Sequence, residues 1–164
     1  MKLLILIALL FSSVVVYASH ENEGEMNKIR ADLVTRLDEN RTNTIAVLRQ
    51  KIQTGSPLEK DAALFVVEEK LVLELVPCVL VAISDRTQAP MYHDTGWTYI
   101  GRHAGWVILK FIRKLDRDWL QEQKFKRSLM AICNDDDREA LKSLWTKWWK
   151  QYQEKQEPQQ IGAR

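Results

Sequence analysis

Three residue types in this sequence could do chemistry: histidine, cysteine and tryptophan. The histidines are His20, His93 and His103. A general base or metal ligand needs such a ring beside a second titratable group. His93 precedes Asp94, and these two with His103 are the nearest approach to a donor set. Their spacing, with no third strong ligand, matches no zinc site. The chain has no Gly-x-Ser-x-Gly elbow, phosphate-cradling glycine loop or His-Glu-x-x-His helix. Asp135-Asp136-Asp137 lacks the alternating ligands and central glycine of a calcium loop. It suits a helix start, where negative charge complements exposed N–H groups. The expectation is no catalytic residue, no metal and no cofactor, and so not an enzyme.

The two cysteines, Cys78 and Cys133, acquire meaning from the first eighteen residues. Lys2, an apolar run from Leu3 to Val16 and the small-residue site Val16-Tyr17-Ala18 read as a signal peptide over 1–18. The run is about fourteen residues long, short of the roughly 20 that span a bilayer, which disfavours a retained anchor. In an oxidising compartment an even pair of cysteines implies one disulfide, Cys78–Cys133. Closing that loop would contribute roughly 4 kcal/mol in the chain-entropy model. Export also gives meaning to Asn40-Arg41-Thr42, an N-glycosylation sequon that predicts a modified Asn40.

All six tryptophans lie in the second half of the chain. Most are expected to fill a core. The sharper candidate is Trp145-Thr146-Lys147-Trp148-Trp149-Lys150, where aromatics flanked by lysines suit a membrane interface or a partner's groove. Trp145, Lys147, Trp148, Trp149 and Lys150 form the possible binding surface.

The elements that must position these residues read as helices. Apolar residues recur at steps of three and four from Met26 to Ile52, with a polar run at 38–44 that marks a weak point or break. Gly55 occupies a left-handed C-terminal position there. Ser56, Pro57 and Glu59 then form a helix start, with Ser56 capping and Glu59 completing a capping box. The segment they open, Ser56 to Ser84, is apolar around most of its circumference and belongs at the centre of a bundle. Pro77 should kink or end it. A further helix carries Ile100, Ala104, Val107, Ile108, Phe111 and Ile112, with Gly101 and Gly105 one turn apart for close packing. Beyond Leu115 the apolar phase shifts, so either a new helix starts near Asp118 or the helix bends. The last helix presents Leu141, Leu144, Trp145, Trp148 and Tyr152 inward. The predicted fold is all-α: four to five amphipathic helices around a central hydrophobic helix, with one disulfide. One domain spans 19–155, and 156–164 is a polar, disordered tail.

Charge is uneven. Residues 19–85 carry 8 basic and 12 acidic side chains, and residues 86–164 carry 15 and 10. The basic stretch near Arg113–Arg127 is diluted by acids, so nucleic acid is not expected as a partner. The outline is similar to that of secreted helical-bundle ligands such as cytokines. It equally resembles small helical carriers of apolar molecules. Neither likeness rests on a motif, so both concern the fold alone. The reading is an extracellular, non-enzymatic interaction protein that binds a protein partner or surface. The alternatives are a carrier enclosing an apolar ligand against Phe65, Leu75, Trp97 and Phe111, or a membrane-active effector working through its last helix.

Overall fold

The computed structural model describes residues 22–90, 99–122 and 135–161, without the side chains of 135–137 and 157–161. The signal segment, His20, His93, Asp94, Trp97 and Cys133 lie outside the described residues. Within them the chain is all-helical, with seven α-helices and no strand. More helices form than the four to five expected, because the weak point near Asn40 is a full break and the central segment is divided as well.

The first break is at Asn40. Helix α1 (residues 22–39) buries Met26, Leu33 and Leu37, and α2 (Arg41–Thr54) buries Leu48 and Ile52. Asn40 caps α2, its side chain accepting from the Asn43 N–H at 3.2 Å. The joint is stitched by Thr44, whose buried hydroxyl lies 2.8 Å from the carbonyls of both Arg36 and Asn40. Gly55 ends α2 at φ −67°, which is extended and not the left-handed conformation expected. Glycine is needed there for space: a Cβ would lie 2.5 Å from the Lys51 carbonyl oxygen.

Helix α3 (Pro57–Lys70) starts as expected. The Glu59 N–H donates to Ser56 Oγ at 3.3 Å and the Ser56 N–H to Glu59 Oε2 at 2.9 Å. Lys51 adds an ion pair at 2.6 Å, which with the capping hydrogen bonds holds the Glu59 pKa down at about 2. The central segment does not run on to Pro77. It stops at Leu71, a left-handed residue at φ 50°, passes through a 3₁₀ turn (Leu73–Leu75) and restarts as α4 (Val76–Ala82). Pro77 lies in the first turn of α4, where a missing N–H costs nothing, so it opens a helix and does not end one. The exposed fork of Arg41 on Glu74, at 3.0 Å, ties this turn to the start of α2.

Helix α5 (Ile100–Leu115) shares the centre with α3 and α4. Ten of its residues are buried, including Ile100, Val107, Ile108, Phe111 and Ile112. Both glycines pack closely, as expected. A Cβ on Gly101 would fall 2.2 Å from the Ile83 carbonyl oxygen, and one on Gly105 would meet the Trp145 ring at 3.1 Å. Asp116 interrupts the helix before the short α6 (Arg117–Glu122), which confirms a division near Leu115.

Helix α7 (Asp135–Ile161) lays Leu141, Trp145 and Trp148 into the core. It is held by a 2.7 Å hydrogen bond from Trp119 Nε1 to Gln151 and by the Lys155–Asp116 pair at 3.2 Å. Because α7 continues to Ile161, the boundary placed at 155 falls within a helix. The disulfide lacks support: Cys133 lies outside the described residues, and among those described Cys78, buried on α4, has no sulfur partner.

Candidate functional site

The densest chemistry lies between α3 and α5. Asp61, Phe65 and Glu68 occupy one stripe of α3, spaced by four and three residues. His103 and Lys110 share a stripe of α5, seven residues apart. Seven residues make two turns, about 10.5 Å of rise, on either helix. The stripes meet rung by rung, with α3 and α5 running in the same direction.

His103 Nδ1 and Asp61 Oδ1 are 2.6 Å apart, and both side chains are 0% exposed. His103 Nε2 lies 3.4 Å from Glu68 Oε2, and Lys110 pairs with the other Glu68 oxygen. Phe65 packs its ring 4.4 Å from the imidazole, and Arg30 of α1 covers that phenyl ring at 4.7 Å. Burial opposes the imidazolium, but hydrogen bonds and charge from Asp61 and Glu68 outweigh it, so the His103 pKa rises. Burial likewise favours neutral Glu68, yet His103 and Lys110 hold its pKa below the ordinary value. Among the described residues Asp61 Oδ2 has no hydrogen-bond partner. The quartet is thus two carboxylates facing two cations, sealed at the His103 end and open at the Lys110 end.

Neither acid drew attention in the sequence, because Asp61 resembles an ordinary acid near a helix start and Glu68 a solvated one. Two carboxylates on one face of an otherwise apolar helix, matched by two cations seven apart on another, would have been the signal.

Above the open end lies a cleft of about 730 Å³ between α1, α3 and α5. Phe65 and Leu71 form its floor, and Arg30, Lys110, Arg113 and Lys114 its cationic rim. Half-buried Trp106 lies beside it, with Lys110 5.9 Å and Arg113 5.4 Å from its ring.

The tryptophan surface is largely dismantled. Trp145 and Trp148 are fully buried and belong to the core. Trp149 is half-buried and stacks on Tyr152 at 5.7 Å. Only Lys147 and Lys150 are exposed, lining a shallow groove with Glu139 and Lys142. The reason is the helical period, which turns Trp145 and Trp148 toward the core and the lysines toward solvent. Leu75 and Phe111 are also fully buried in the core cluster, and Phe65 is half-buried. Asn40 is exposed and uses its side-chain oxygen as a cap, so capping does not consume the nitrogen that a glycan would need.

No helix among the described residues is long and apolar enough to cross a membrane. No protein-family model, curated protein or solved structure matches this chain.

Proposed function

We propose that the chain is an exported helical interaction protein that works by binding and not by catalysis. The observation that supports this most is the burial of His103. Its ring is 0% exposed and clamped between Asp61 and Glu68, so no substrate atom reaches it and its proton serves the fold. Accessible features among the described residues include a charged cleft and a lysine-lined helix face, which suit recognition. A membrane-active role is less favoured, since Trp145 and Trp148 are inside and Trp149 is half-buried. The carrier reading keeps Phe65, Leu75, Trp97 and Phe111 as its lining.

In this proposal residues 1–18 are removed, Asn40 carries a glycan and Cys78 pairs with Cys133. Burial pushes the unpaired Cys78 thiol up in pKa, which would make it slow to react with alkylating reagents. Titrating thiols in denaturant without reductant reads zero for the bridge and two for free thiols. The central test is N-terminal sequencing and native mass spectrometry of material secreted by a eukaryotic host. Export predicts a chain beginning at Ser19, free of lipid, that shifts to a heavier complex when its native extracellular fluid is added. Co-purified lipid would transfer the proposal to the carrier, and retention in membranes with residues 1–18 attached would refute export.

A further inference from the structure

The cleft between α1, α3 and α5 combines a small apolar floor with more positive charge than its own carboxylates neutralise. Of its two acids, Glu68 is turned inward to His103 and Lys110, with a side chain 12% exposed. The other, Glu69, is held by Arg30 at 3.5 Å. Arg113 and Lys114 are exposed and have no ion-pair partner among the described residues. Arg113 instead lies over the face of Trp106, 5.4 Å from its centroid, and an exposed guanidinium can donate two parallel N–H bonds to a carboxylate.

Two helix ends bear on the kind of anion. The C-terminal ends of α3 and α5 border the cleft, through the C-cap Leu71 and the penultimate residue Lys114. The C-terminal end of a helix is the negative pole and presents carbonyls that seek N–H donors. Such poles disfavour any anion, most strongly a compact, highly charged one such as phosphate or sulfate and less a singly charged carboxylate. A peptide carries single carboxylates spaced along a chain and N–H groups to give to carbonyls. Its apolar side chains also suit a floor of Phe65 and Leu71.

We propose that this cleft receives an acidic peptide segment of a protein partner. Its carboxylates pair with Arg113 and Lys114, and an apolar side chain rests on Phe65 and Leu71. The inference builds on the interaction reading and names the partner's chemistry and the face it uses.

The test is fluorescence anisotropy of a fluorescein-labelled peptide of alternating glutamate and leucine, at low salt, against the mature protein. Binding should weaken roughly tenfold or more in Arg113→Glu/Lys114→Glu and change less than about twofold in Lys28→Glu/Arg49→Glu, two exposed positions outside the cleft. The same peptide with glutamine for glutamate should not bind. Equal losses from the two charge reversals would mean attraction by net charge alone and would overturn the proposal. So would failure of the acidic peptide to bind, or capture of dextran sulfate or phosphatidylglycerol vesicles in its place. All four positions are exposed, so the variants should fold, and circular dichroism verifies this. Photo-crosslinking residues at 114 and at 147, irradiated in native extracellular fluid, separate this inference from its premise. Adducts at 114 support both. Adducts at 147 alone overturn the cleft and leave the interaction reading standing, and none at either position removes both.

Discussion

Replacing Asp61 by alanine tests the buried quartet most directly. The change removes the carboxylate 2.6 Å from His103 Nδ1 and leaves the ring buried in the core with Glu68 3.4 Å from its other nitrogen. Breaking a fully buried pair from one side costs roughly 3–5 kcal/mol. Against a domain stability of about 5–15 kcal/mol that is a large fraction. At about 2–4 °C per kcal/mol for a chain of this size, Tm should fall by about 6–20 °C. Urea unfolding should show a lower midpoint at an unchanged slope, since the buried surface is the same. Asp61→Leu/His103→Leu, which removes both charges, should cost less than either single change. The pH dependence carries its own sign. His103 has a raised pKa, so its contribution is complete below the unfolded value of 6.5 and disappears as pH rises through the folded value. Glu68 has a lowered pKa, so its contribution is complete above the unfolded value of 4.5 and disappears as pH falls through the folded one. The quartet therefore stabilises most between those two values, and the alkaline decline should be missing from the double variant. A wild-type midpoint that stays flat from neutral to alkaline pH, with Asp61→Ala costing under about 1 kcal/mol, would refute the reasoning.

Three further outcomes are expected. Gly101→Ala should destabilise despite alanine's better helix propensity of about 1 kcal/mol, because its Cβ would meet backbone oxygens of Ile83 and Asp85 at 2.2 and 2.7 Å; thermal unfolding reads the sign. Trp145→Ala and Trp148→Ala should each cost about 3–5 kcal/mol in urea unfolding, while Lys147→Ala and Lys150→Ala stay within about 0.5. Thr42→Ala should abolish the glycan mass in a secretory host at no cost in stability, whereas Asn40→Ala should lose the glycan and about 1 kcal/mol of capping.

What the sequence disclosed and what it hid divide along the range of the forces involved. Local signals were readable. The Ser56–Glu59 capping box, the weak joint near Asn40 and the close-packing glycines of α5 each depend on a few neighbouring residues. The inward stripe of α7 was readable too, and it already implied that Trp145 and Trp148 could not also form a surface. The stop at Leu71 was hidden because leucine carries no turn signal. It adopts a left-handed conformation, at a cost of about 1–2 kcal/mol, only because packed helices on either side require it. Asp61 and His103 are 42 residues apart, and their meeting depends on how α3 docks on α5. The cleft was illegible for the same reason, since Arg30, Phe65 and Lys114 come from three helices.

The twin rungs between α3 and α5 have a consequence for motion. Alanine and valine faces slip past one another at little cost, so greasy contact alone would let these helices ratchet by one turn. A shift of about 5.4 Å would strand Asp61 and Glu68 opposite apolar side chains, so the charges act as a detent that admits a single docking position. Any shape change on meeting a partner must then hinge elsewhere, at the Asn40 joint or where α7 lies on α4, and leave this keyed pair unmoved.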